Sequence, residues 1–163
     1  MIEMAEKTVY LDSSALAKRY LAEPGTESID ELYHRAEARA LRLAFSLWNI
    51  GEVLGAIAKA QRLGWISMVE AGNVAWAFVR ETLKIRSLGS LRIAPVRGDL
   101  LADTIPLLFR HGLSQPDGLQ ITTCRDLRGD ALVSADRRLI EAARQEGMRA
   151  YHPVADAQQL RAL

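Results

Sequence analysis

The chain has 163 residues, 49% of them hydrophobic, which suits one globular domain spanning 1–163 with a full core. Charged residues make up 25% and nearly cancel to a net charge of +1, so no single-sign field dominates. A single cysteine, Cys124, excludes an intramolecular disulfide, and no Cys/His cluster has zinc spacing. Seventeen Arg stand against four Lys, a bias that suits a phosphate-bearing partner and that coding bias explains equally well. No apolar run reaches spanning length, and Glu3, Glu6 and Lys7 interrupt the N-terminus, so no signal peptide or membrane contact is expected and the expected location is the cytoplasm.

Thr8 to Asp12 reads as a short buried strand, and Ser13 to Leu21 as the helix that follows. Pro24-Gly25 is turn chemistry, after which Ile29, Leu32, Tyr33 and Ala36 recur at helical spacing over 28–39. Leu41 to Phe45 alternates as a strand, and Ser46 can cap a helix over 47–63 that stops at Gly64. Ser67 starts a longer helix whose Val69, Val74, Trp76, Ala77, Phe78, Val79 and Leu83 are expected in the core. Leu91 to Val96 is a third strand, with Pro95 marking an edge or an end. Pro106 should break the helical stretch 98–110. A helix then opens at Ser114-Gln115-Pro116-Asp117 and runs to Leu127, followed by a strand to Ser134 and a helix over 137–146 stopped by Gly147. A short strand over 149–152 and a terminal helix complete the chain. This alternation calls for a mainly parallel sheet covered by helices.

Sites in such sheets form beyond the carboxyl ends of the strands. Asp12 and Asp136 both sit there, each ahead of a helix, and Asp117 lies in a first helical turn. Each has a simpler role as a cap or as a charge complementing the helix dipole. Glu52 is inside a helix, where the apolar stripe Leu47, Ile50, Val53, Leu54 and Ile57 leaves it roughly opposite; Gly51, Gly55 and Ala56 keep that face slim. Spacing alone leaves open whether it is a solvated glutamate or part of a site.

The stretch Tyr10-Leu11-Asp12-Ser13-Ser14-Ala15 through Glu23-Pro24-Gly25 resembles the opening of PIN-domain ribonucleases, in particular VapC-type toxins of toxin–antitoxin pairs. Asn49-Ile50-Gly51-Glu52-Val53-Leu54 is similar to the glutamate helix of that family, Asp117-Gly118-Leu119-Gln120-Ile121-Thr122 to its third acidic segment, and Leu132-Val133-Ser134-Ala135-Asp136-Arg137-Arg138-Leu139 to its last. The resemblance implies a three-layer α/β/α sandwich around a parallel sheet of about five strands. It implies an acidic site of Asp12, Glu52, Asp117 and Asp136, with Ser134 beside the last, holding Mg²⁺ or Mn²⁺. It also implies an endoribonuclease acting on an RNA substrate, a homodimer and a cognate antitoxin. Two positions depart from the pattern: Gly118 replaces the usual Ala, and Gln120 stands where His is frequent.

Clustered carboxylates repel each other, and a hard divalent cation relieves that repulsion while reversing the sign of the pocket toward a phosphodiester. The expected reaction is hydrolysis of RNA by metal-activated water, leaving 5′-phosphate ends. Lys18, Arg19, Lys59 and Arg62 are candidates for phosphate contact and Trp48 and Trp65 for base stacking, while Trp76 is expected in the core. Three alternatives remain. One is a PIN-like interaction module whose acids only cap helices. Another is a Mg²⁺-dependent phosphohydrolase of a different family, disfavoured by Ser14 where Asp-x-Asp is wanted. The last is a dinucleotide-binding domain, disfavoured by the lack of Gly-x-Gly-x-x-Gly after the first strand.

Overall fold

The computed structural model describes residues 7–163. Its elements are β1 Thr8–Leu11, α1 Ser13–Tyr20, α2 Thr26–Glu37, β2 Arg42–Ser46, α3 Leu47–Arg62, α4 Met68–Ser87 and β3 Leu91–Ala94. They continue as α5 Gly98–Asp103, α6 Ile105–His111, α7 Gln115–Asp126, β4 Ala131–Val133, α8 Arg137–Gln145, β5 Ala150–Tyr151 and α9 Ala157–Arg161. The strands form one five-stranded sheet in the order β3-β2-β1-β4-β5, with every pairing parallel. Strand order reverses beside β1, so the carboxyl ends of β1 and β4 flank the crevice where ligands bind in such sheets.

Side-chain alternation along the strands builds the three layers. Val9, Leu11, Leu43, Phe45, Ala131 and Val133 face one way, into a core shared with α1, α2, α3, α4 and α9. Tyr10, Ala44 and Leu132 face the other way, against α6, α7 and α8. Both faces of β1 are therefore buried, which is why its four residues carry no alternation for sequence reasoning to detect.

Helix starts are set where the sequence places capping side chains. Ser46 and Ser67 each open a helix with a capping box, closed by Asn49 and Glu70 respectively. Each such cap contributes about 1 kcal/mol. Pro106 divides the third crossover at Thr104 into α5 and α6, as its missing N–H requires. Gly64 and Gly147, at φ +73° and +80°, end α3 and α8 in the left-handed region that favours glycine.

Two expectations are corrected. The core residues of α4 are Phe78, Thr82 and Ile85, whereas Val69, Trp76 and Leu83 are 73%, 69% and 59% exposed. This helix packs on α3, α1 and β3 along a single stripe, so apolar residues off that stripe face outward. In α3 the buried stripe is Asn49, Val53, Ile57 and Ala60, and Leu47 is exposed. Gly118 has a packing reason: a Cβ there would stand 3.0 Å from Thr104 Cβ and 3.3 Å from Leu108 Cδ2. The first turn of α7 thus lies tight against the junction of α5 and α6.

Candidate active site

The end of β1 and the end of β4 are joined at the backbone, where the Asp12 N–H donates to the Val133 carbonyl at 3.1 Å. Asp12 then caps α1. Its Oδ1 accepts from the Ala15 N–H at 2.9 Å and the Ser14 hydroxyl at 2.7 Å, and its Oδ2 accepts from the Ser134 hydroxyl at 2.7 Å. Asp12 is 5% exposed. Burial pushes its pKa up to about 6; the bonds from Ser134, Ser14 and Ala15 pull it back part of the way, and the charge of Glu52 adds to the rise.

Ser134 is fully buried, and its oxygen also accepts from the Asp136 N–H at 2.9 Å. Ser14 does the same for the Ala135 N–H at 2.8 Å. Two hydroxyls therefore tie the Asp12 carboxylate to the turn that carries Asp136. Ser14 escaped the sequence reading because a serine in a first helical turn looks like an ordinary helix start.

Glu52 is half-buried rather than turned away from the core, and among the described residues its enclosed Oε2 has no hydrogen-bond partner. The apolar stripe misled because polar Asn49, not Leu47, begins the buried face of α3. Glu52 lies one turn beyond Asn49 on the flank of that face.

Asp117 and Asp136 keep to their own helix starts. Asp117 Oδ2 accepts from the Ser114 hydroxyl at 2.6 Å. Asp136 Oδ1 accepts from the N–H groups of Arg138 at 2.8 Å and Leu139 at 3.3 Å. Among the described residues, no three His, Cys, Asp or Glu side chains stand as a ready-made cluster for a metal ion. The geometry at hand is a buried Asp12–Ser14–Ser134 cluster that feels the charge of Glu52, with Asp136 capping α8 and Asp117 bonded to Ser114, the cap of α7.

Beneath the acids lies a polar cluster that the sequence reading did not anticipate. The Tyr10 hydroxyl reaches Gln120 Oε1 at 2.9 Å and Asn49 Oδ1 at 3.2 Å, and Asn49 Nδ2 donates to Gln120 Oε1 at 2.8 Å. Several basic candidates are engaged in structure. Lys18 is 8% exposed and pairs with Glu23 at 3.1 Å. Arg19 meets Asp30 at 2.7 Å and grips both oxygens of Glu81, which also accepts from the Tyr20 hydroxyl at 2.6 Å. The His111 side chain is inward and 2.8 Å from Glu146. Lys59, Arg62, Trp48 and Trp65 are exposed. A cleft of about 710 Å³ along α4 and the β3 edge contains none of the four acids.

The donor set fits a hard divalent cation. An enclosed carboxylate oxygen without a hydrogen bond, close enough to raise a second buried acid, gains most from an added positive charge.

The sequence matches no protein-family model and no curated protein. Among solved structures, PAE2754 from Pyrobaculum aerophilum is similar at 20% identity and a TM-score of 0.62, over 98% of both chains. VapC20 from Mycobacterium tuberculosis, described as a sarcin–ricin loop cleaving toxin, is similar at 17% identity and a TM-score of 0.60, over 82% of this chain and 94% of that one. FitAcB from Neisseria gonorrhoeae is similar at 16% identity and a TM-score of 0.59, over 89% of this chain and 97% of that one. At these identities the likeness is one of fold.

Proposed function

From the PIN-domain, VapC-like fold that this chain has, we propose that it is a metal-dependent endoribonuclease, the toxin of a toxin–antitoxin pair. The observation that carries this reading is a buried acid, Asp12, at the strand-order reversal, whose carboxyl feels the charge of Glu52. One acid is buried and raised to about 6, and the other has an enclosed oxygen without a partner. A pair of helix caps needs neither feature. The reading assigns Mg²⁺ or Mn²⁺ to Asp12 and Glu52, with Asp117 and Asp136 completing the set, and RNA to the rim above them.

A bound divalent cation supplies charge neutralisation for the phosphate and a lowered pKa for the attacking water. The remaining work falls to this chain. Ser14, Ser134 and the Ala15 N–H hold both oxygens of Asp12 in one orientation and favour its ionised form. The three fixed donors fill both lone pairs of Oδ1 and one of Oδ2, so the carboxylate is presented through the remaining lone pair of Oδ2 without rearrangement. Ser134 also fixes the Asp136 backbone, which couples the β4 turn to the β1 end. Lys59 and Arg62 remain exposed for the RNA backbone, whereas Lys18 and Arg19 are occupied.

The outward apolar row on α4, which includes Met68, Val69, Trp76 and Leu83, supports a protein partner, either a second copy or the antitoxin. Among the described residues no helix is long and apolar enough to cross a membrane.

The test is cleavage of RNA by the purified chain with Mn²⁺ or Mg²⁺, alongside Asp12→Asn. Metal-dependent cleavage with 5′-phosphate ends, lost in the variant, is expected. Cleavage retained by Asp12→Asn, or products ending in 2′,3′-cyclic phosphate, would overturn the mechanism. A second reading, a catalytically silent interaction module, is favoured by the hydrogen bonding of Asp117 and Asp136 to their own helix starts. It predicts no Mn²⁺ binding.

A further inference from the structure

We propose that Tyr10, Asn49 and Gln120 form a positioning device that holds Asp12, Glu52 and Asp117 in register for the metal; this rests on the nuclease reading above. Each member lies on an element that bears one acid or leads directly into it. Tyr10 is on β1, two residues before Asp12. Asn49 is on α3, one turn before Glu52. Gln120 is on α7, one turn after Asp117. Residues three apart on a helix share a face, so fixing Asn49 and Gln120 fixes the neighbouring turns that carry the acids.

The cluster is buried and its polar atoms are paired. Tyr10 and Asn49 are inaccessible, and Gln120 is 2% exposed. Gln120 Oε1 accepts from Tyr10 and from Asn49 Nδ2, while its Nε2 donates to the Pro116 carbonyl at 3.2 Å, in the turn that holds Asp117. Asn49 Oδ1 also accepts from the Ser46 N–H at 2.7 Å, which pins the start of α3. A packed apolar contact would join these three elements equally well. A network of directional bonds adds a single fixed geometry, and a site built from separate elements depends on that. The residue at 120 is this chain's own departure from the pattern its sequence resembles, and here its amide reaches both other members.

The experiment measures Mn²⁺ binding by electron paramagnetic resonance of the free ion. It compares the full chain, Glu52→Gln, Gln120→Leu and Gln120→His, all well below their melting temperatures. Partners behind metal ligands typically matter by about 10- to 100-fold in affinity. Gln120→Leu is therefore expected to bind Mn²⁺ at least about tenfold more weakly with unchanged circular dichroism. Gln120→His, whose ring nitrogen can accept from Asn49, should recover most of that loss. Tyr10→Phe removes one bond without opening a cavity, and it should show a smaller loss even if Gln120→Leu fails to fold. Wild-type affinity in Gln120→Leu and Tyr10→Phe, with Glu52→Gln impaired, would overturn the positioning role and leave the nuclease reading intact. Absence of Mn²⁺ binding by the wild-type chain would overturn both.

Discussion

Replacing Asp12 with Asn should make the metal-free protein more stable at pH 8 while abolishing its response to metal. The carboxyl titrates near 6 when folded, against 3.8 for the free group. Between about pH 4 and 6 the folded state therefore holds a proton that the unfolded state has released. Stability falls as the pH rises through that window and stays lower above it. A displacement of about two units corresponds to about 3 kcal/mol. Asn has the shape of the neutral acid and no charge to desolvate, so it escapes this penalty. Its oxygen can still accept from the Ala15 N–H, and its amide can donate to Ser134.

Urea denaturation of both proteins at pH 4 and pH 8, without metal, measures the effect. The variant should match the wild type near pH 4 and exceed it by up to about 3 kcal/mol at pH 8. Mn²⁺ at a hundred times its Kd should then add about 2.7 kcal/mol to the wild type alone. A stability difference that is the same at both pH values would refute the claim that burial strains this carboxylate. Equal stabilisation of both proteins by Mn²⁺ would refute its role in holding the ion.

Ser134→Ala removes the donor to Asp12 Oδ2 and the acceptor for the Asp136 N–H, and should cost about 1–3 kcal/mol in urea denaturation. Because that hydroxyl lowers the pKa of Asp12, the acid limb of the cleavage profile should move to higher pH; an unmoved limb would deny the coupling. Arg19→Met strips Glu81 of a two-pronged partner within the α1–α2–α4 packing, and should cost about 2 kcal/mol with no change in Mn²⁺ affinity. A weakened Mn²⁺ affinity would instead link that network to the site. Trp76→Lys should change the urea midpoint by the equivalent of less than about 0.5 kcal/mol, since the ring is exposed. A large loss of stability would mean the ring is covered.

The sheet and its helices were legible because their signals are local. Ser46, Ser67 and Ser114 announce helix starts, Gly64 and Gly147 announce stops, and Pro106 breaks the helix at the neighbouring Thr104. The burial of α4 was not legible. Its composition is apolar on several sides, and only the position of α3 and β3 decides which stripe faces inward. The same limit governs the site. Asp12 and Asp136 could be found as acids ahead of helices and Asp117 as one in a first turn, yet a helix-start charge and a ligand make identical demands on sequence. What separates them is burial and coupling, which are properties of the assembled fold. Asp12 is buried and feels the charge of Glu52, whose own enclosed oxygen has no hydrogen-bond partner among the described residues, while Asp117 and Asp136 hydrogen-bond as ordinary helix starts. Asn49 and Gln120 were hidden for a related reason: a polar residue within a helix reads as solvated until another polar residue is found opposite it. Their pairing at 2.8 Å joins two helices 71 residues apart in sequence, and no periodicity encodes a contact of that range. The acids are thus named by the chain, whereas the contact between the helices that carry Glu52 and Asp117 is made by a buried amide pair.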